Sequence, residues 1–146
     1  MMSLKERVIG LISDIEARSE RIKADIFLDN KTILDALNEQ PKLEFEWRRM
    51  AANAKSLVQE CEIERSEAFS LAVQNVLHNS HYKLGSTELK IHAESEANYI
   101  AARRLEIKMI RSCDIAKSVV DTIDSRKYVL NNLSRLIVAG AEGHIL

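Results

Sequence analysis

The stretch Met109-Ile-Arg-Ser-Cys-Asp-Ile-Ala-Lys-Ser-Val-Val-Asp-Thr-Ile123 decides the fold class. Met109, Cys113, Ala116, Val120 and Ile123 recur at steps of four and three, the spacing that lines one face of an α-helix. The row continues through Leu130 and Ile137, broken by Lys127 and Ser134, and a second row runs beside it through Ile115, Val119, Val129, Leu133 and Leu136. No glycine or proline occurs between Glu88 and Ala139, so the spacing predicts one continuous helix over 87–139, roughly 75 Å long at 1.5 Å per residue. One seam takes one antiparallel partner helix, whereas two adjoining seams take two neighbours. The second half of this helix is therefore expected to meet helices of other copies of the chain. Val119, Ile123, Arg126, Leu130, Leu133 and Ile137 are the candidate oligomerisation residues.

Upstream, Leu43, Trp47, Met50, Ala54, Leu57, Cys61, Ala68 and Leu71 keep helical spacing and predict a first long helix over 42–78. On this apolar stripe Phe45 and Trp47 are expected in the core. Between the long helices, residues 79–86 form a polar tip, where Gly85 suits a left-handed turn and Ser86 or Thr87 a helix cap. Val8, Ile12, Ile15, Ile22 and Ile26 predict an N-terminal helix over 4–25, and a short helix over 31–38 follows, started by Asp29 or Asn30 and ended by Pro41. The expected architecture is all-α: a long antiparallel helical hairpin with short N-terminal helices over 1–39, in one helical domain of 146 residues that assembles as a homo-oligomer.

Composition removes several function classes. Charges recur every few positions, so no run approaches the roughly 20 apolar residues of a membrane span. Residues 1–14 lack the unbroken apolar stretch of a signal peptide, and the expected location is cytoplasmic. Cys61 and Cys113 lie far apart on apolar stripes and read as small hydrophobes. The four glycines never fall in a phosphate-loop order, and no GxSxG frames a serine. Glu64 with Glu67, and His78 with His81, have the three-residue step of paired metal ligands but lack further ligands, and read as a solvated helix face and a polar hinge. The expectation is a protein without catalytic residues, metal or cofactor.

Charge is uneven. Residues 1–99 hold 13 Lys and Arg against 17 Asp and Glu, while 100–146 hold 8 against 5. Single-stranded nucleic acid is held by cations that track phosphates and rings that stack on bases. Three groups supply such residues: His78, His81, Tyr82, Lys83, Lys90 and His92 at the tip; Arg48, Arg49 and Lys55 beside Trp47; and Arg103, Arg104, Lys108 and Arg111 on the second long helix. Arg103, Arg104 and Lys108 read first as a solvated helix face shared with Glu106, and as a DNA contact second.

Three features together resemble the UvsY family, the recombination mediator proteins of tailed bacteriophages. Asp25-Ile-Phe-Leu-Asp29 is followed by Trp47, twenty residues after Phe27; two long helices flank a tip holding Tyr82 and Gly85; and Asp121-Thr-Ile-Asp-Ser-Arg-Lys-Tyr-Val-Leu130 is similar to the family's Asp-x-Ile-x-Ser-Arg-x-aromatic-x-aliphatic segment. The resemblance covers residues 23–140 and implies a non-enzymatic mediator. Such a protein binds single-stranded DNA coated by a single-strand DNA-binding protein, promotes loading of a RecA-like recombinase, and forms a ring of about six or seven subunits. If phage-encoded, it would act in the host cell cytoplasm. One departure stands out: the family's basic stretch before the tip corresponds here to residues 67–75, which contain no Lys or Arg. The competing reading is a structural or adaptor helical oligomer that binds a protein partner. Arg126 is expected to pair with Asp121, Asp124 or a carboxylate of a neighbouring subunit.

Overall fold

The computed structural model describes residues 1–26, 32–81 and 83–145, with side chains up to residue 140. It is all-α: α1 spans Leu4–Asp25, α2 Ile33–Asn79, α3 Ser86–Glu94 and α4 Ala97–Ile145. Among the described residues no helix is long and apolar enough to cross a membrane.

Helix α1 opens with a capping box: the Glu6 amide donates to Ser3 Oγ at 3.2 Å and the Ser3 amide to Glu6 Oε2 at 3.3 Å. Its apolar stripe then buries Val8, Ile15 and Ile22. Helix α2 differs from the sequence expectation, because the short helix over 31–38 and the long one over 42–78 are one element. Thr32 caps it, its Oγ1 accepting from the Asp35 amide at 3.2 Å, whereas Asp29 and Asn30 lie outside the described residues. Pro41 stands inside the helix on its exposed side. A proline there removes one backbone bond and costs about 3 kcal/mol. Tertiary packing offsets this, since Ala36 and Gln40 before the proline and Trp47 and Met50 after it are all buried.

The second long helix is divided. Between α3 and α4, Ser95 Oγ donates to the Ile91 carbonyl at 2.9 Å, taking the acceptor that its own amide would use in a continuing helix. The Ser95 and Glu96 amides instead reach three residues back, to His92 and Ala93. The break also re-phases the buried face. In an uninterrupted helix Ala93 would point about 160° away from Met109, yet both are fully buried. Gly85 is the N-cap of α3 in extended backbone, φ −69°, not a left-handed turn.

Two compact units share these helices. Unit 1 comprises Met1–Ser13 and Ala54–Cys113; unit 2 comprises Asp14–Asn53 and Asp114–Leu146. In unit 1 the core is Val8, Ala54, Leu57, Cys61, Ala72, Ala93, Met109 and Cys113. Arg7 bonds Glu60 across it at 2.9 Å, Arg65 bonds the buried Glu106 at 2.6 Å, and Phe69 meets Tyr99 edge to face at 5.7 Å. In unit 2 the core is Ile15, Ile22, Ala36, Trp47, Met50, Ala116, Ile123 and Leu130. Gln40 Nε2 donates to the Ile123 carbonyl at 2.8 Å, Arg48 bonds Asp124 at 2.5 Å and Lys127 bonds Glu44 at 3.4 Å. In unit 1 rising numbers on α2 meet falling numbers on α4, Arg65 with Glu106 and Phe69 with Tyr99, so the two helices pack antiparallel there.

Two apolar expectations are corrected. Phe45 is 67% exposed and Leu71 52% exposed, because the buried side of α2 is carried by Trp47, Met50, Ala54, Cys61 and Ala72 and these two point away from it. Arg126 differs in the other direction. It occupies the core row of α4 between Ile123 and Leu130, is 5% exposed, and all three guanidinium nitrogens lack a hydrogen-bond partner among the described residues. It therefore pairs with neither Asp121 nor Asp124, and Asp124 is taken by Arg48.

Two outcomes follow from this packing. An unpaired buried charge costs more than an apolar side chain of similar volume. Arg126→Met is therefore expected to raise unfolding stability by about 1–4 kcal/mol in a denaturant titration, and a lower stability would show that a partner satisfies the guanidinium. Burial, with Glu64, Glu106 and Glu60 adding to it, pushes the Cys61 thiol up to about 11 from 9.0. The folded chain keeps this proton while the unfolded chain loses it, so stability is lost as pH rises from 9 to 11. Relative to Cys61→Ala, the wild-type protein is expected to lose about 2–3 kcal/mol over that window.

Candidate nucleic-acid interface

The basic groups read from the sequence are sorted by their ion pairs. On α2, Arg48 is spent on Asp124 in unit 2. Arg49 in unit 2 and Lys55 in unit 1 are exposed and form no ion pair among the described residues. On α4, Arg103 donates to Glu106 Oε1, while Arg65 Nε donates to Oε2 of the same carboxylate. The Glu106 side chain is 4% exposed, so both of its oxygens are committed to these two guanidinium groups. The hydrogen bond to Glu106 also raises the Arg65 pKa above its already high ordinary value.

This triad separates Glu106 and Arg103 from the other members of the third group. Glu106 faces inward and is not a member of the solvated face. Arg104, Lys108 and Arg111 are left exposed with no ion pair among the described residues. Their steps of four and three place them on one side of α4, spread over roughly 10 Å of helix axis. A row of unpaired cations at that pitch is the local requirement for following a phosphate backbone. The signal was present in the spacing; only the ion pairing separates Arg103 from its neighbours.

The tip group is assembled by α2, α3 and the segment between them. His81 and His92, eleven positions apart, line a cleft of about 300 Å³ with Asn75, Asn79, Ser80 and Glu96. His78 and Lys83 are exposed beside it in sequence, and Lys90 lies 3.9 Å from Glu94 in an exposed pair, so its charge is only loosely held. Glu96 puts a carboxylate in the same cleft, which opposes a phosphate there and favours a base edge or sugar hydroxyl on the amides of Asn75 and Asn79. Tyr82 lies outside the described residues. Among the described residues no three His, Cys, Asp or Glu side chains gather to hold a metal ion.

The candidate oligomerisation residues divide between core and surface. Ile123, Arg126 and Leu130 are buried within unit 2, Val119 and Leu133 are half-buried, and Ile137 is exposed. The segment 121–130 thus has two faces: Ile123, Arg126 and Leu130 point into the core, and Asp121, Ser125 and Tyr128 point out. Of the second apolar row read from the sequence, Val129 and Leu136 are exposed, and Tyr128 and Val138, which the sequence reading did not place on it, are exposed beside them. No family model, characterised protein or solved structure matches the chain.

The arrangement sets the two arginines apart in a single measurement. Arg104→Gln with Lys108→Gln is expected to weaken binding of a labelled single-stranded oligonucleotide about tenfold at low salt and to flatten the slope of log affinity against log salt by about 1.4. Arg103→Gln is expected to leave both unchanged. Equal losses from both variants would remove the α4 row as the contact.

Proposed function

We propose that this protein is a non-enzymatic recombination mediator that binds single-stranded DNA and promotes loading of a RecA-like recombinase onto DNA coated by single-strand DNA-binding protein. The observation that carries this reading is the row Arg104, Lys108 and Arg111, exposed and unpaired because Glu106 is already held by Arg65 and Arg103. The resemblance of 25–29, Trp47 and 121–130 to the UvsY family supports it. Inverting where the charge sits also accounts for the family's missing basic stretch, since phosphate contacts pass here from the helix before the tip to α4. The tip cleft with His81 and His92 adds a second contact on the same unit.

The mechanism needs no bond chemistry. A strand held by cations along one helix face is drawn into one extended conformation, and a mediator shifts the balance between coat protein and recombinase only by its differential affinity for that conformation. Each contact row is weak, so a homo-oligomer of hairpins, in a ring of about six or seven, multiplies it through avidity. Such an assembly acts in the cytoplasm, the host's if the chain is phage-encoded. The exposed apolar residues of α4 support self-assembly, because large apolar patches on a lone chain mark interaction surfaces.

One observation favours the adaptor reading. A groove along α2 in unit 1, lined by Ile63, Leu71 and acidic side chains, suits a protein better than a nucleic acid. Parallel anisotropy titrations with single-stranded and duplex oligonucleotides, on protein of mass defined by light scattering, separate the two. Preferential single-strand binding that weakens steeply with salt is expected. Absence of binding to either form at low salt would leave the adaptor.

A further inference from the structure

Two surfaces of this chain are complementary in charge and alike in being apolar. The first is the outward face of α2 in unit 1. Ile63 is 60% and Leu71 52% exposed, and they line a groove of about 500 Å³ with Ser66, Ser70 and the carboxylates Glu62 and Glu67. No cation lines this groove, and Arg65, the one basic residue within 60–77, is turned inward onto Glu106. The serines leave the backbone open to close approach by another helix. Glu62 and Glu67 have no ion pair among the described residues.

The second surface is the outward side of α4 in unit 2. Tyr128, Val129, Leu136 and Arg135 recur at helical spacing and are exposed, Tyr128 and Leu136 by about 70%. Residues 126–140 contain Arg126, Lys127 and Arg135 and no carboxylate. Lys127 is engaged by Glu44, which leaves Arg135 as the exposed cation without a partner among the described residues.

We propose that the α2 groove of one copy docks the outward side of α4 of a second copy, Leu136 or Tyr128 filling the space between Ile63 and Leu71 while Arg135 reaches Glu62 or Glu67. The proposal rests on the homo-oligomeric part of the function above. It adds that the contact is head to tail, joining different surfaces on the two copies, the class of interface that generates rings or filaments rather than two-fold dimers. The charges select partner and register, while the apolar residues supply most of the affinity.

Charge reversal on each side tests it. Glu62→Lys with Glu67→Lys forms one variant and Arg135→Glu the other, and light scattering across a dilution series reads the mass. Each variant alone is expected to require at least about tenfold more protein to assemble, and an equimolar mixture to recover assembly, because each copy then offers one intact complementary contact to the other. Recovery on mixing also shows that neither variant failed merely to fold. The proposal is overturned if only the α4 variant dissociates, which marks a symmetric contact of α4 with α4, if both variants keep the wild-type mass, or if the wild-type chain is itself monomeric. DNA anisotropy on the same samples keeps the two readings apart: assembly lost and rescued without any single-strand binding removes the mediator function and spares the interface.

Discussion

A carboxylate buried on the inner side of a helix must be paired, and Glu106 is paired twice. Its two oxygens receive Arg65 from α2 and Arg103 from the preceding turn of α4. Removing a charge from water is costly unless charge-assisted hydrogen bonds replace the lost hydration. The contact therefore admits one register of α2 against α4 in unit 1, and one turn or two further along, Phe69 and Tyr99 meet in the same register. The surface consequence is equally specific. Arg103 is exposed but held by Glu106, and the cations that remain on that stretch of α4 form a row.

Unit 2 solves its register differently. Gln40 reaches the Ile123 carbonyl from within the core, and the exposed pairs Arg48 with Asp124 and Lys127 with Glu44 flank that bond. Exposed pairs add little energy, each at most about 1 kcal/mol, so apolar burial around Trp47, Met50, Ile123 and Leu130 carries most of the stability. That packing explains how α2 continues through Pro41, and it also sets Arg126 in the core with no partner among the described residues. A buried polar residue in a helix seam is a known means of specifying register at a cost in stability.

The polarity of the surface is what the proposed function rests on. The α4 face in unit 1 presents unpaired cations, the α2 face of the same unit presents carboxylates around an apolar groove, and the α4 face in unit 2 presents apolar residues with basic ones. In the function proposed above, strand binding and self-assembly would use separate surfaces. An oligomer can carry its nucleic-acid contacts in parallel without spending them on its own interfaces.

Helical periodicity was legible in the sequence because the apolar repeat is a local property: the limits of α1, the burial of Trp47 and Cys61, and the inward row Met109, Cys113, Ala116, Ile123 and Leu130 all follow from steps of three and four. Tertiary structure alone decided the rest. It chose packing over the missing hydrogen bond at Pro41, and a serine hydroxyl over the backbone amide at Ser95, because each outcome weighs a local preference against burial elsewhere. It turned Phe45 and Leu71 outward and Arg126 inward, since a stripe wider than one neighbour can cover does not state which of its edges is covered. It also distinguished Arg103 from Arg104 and Lys108. A basic residue is available to a phosphate only when no carboxylate from another helix has taken it, and which carboxylates arrive is settled by the packing of residues far apart in the chain.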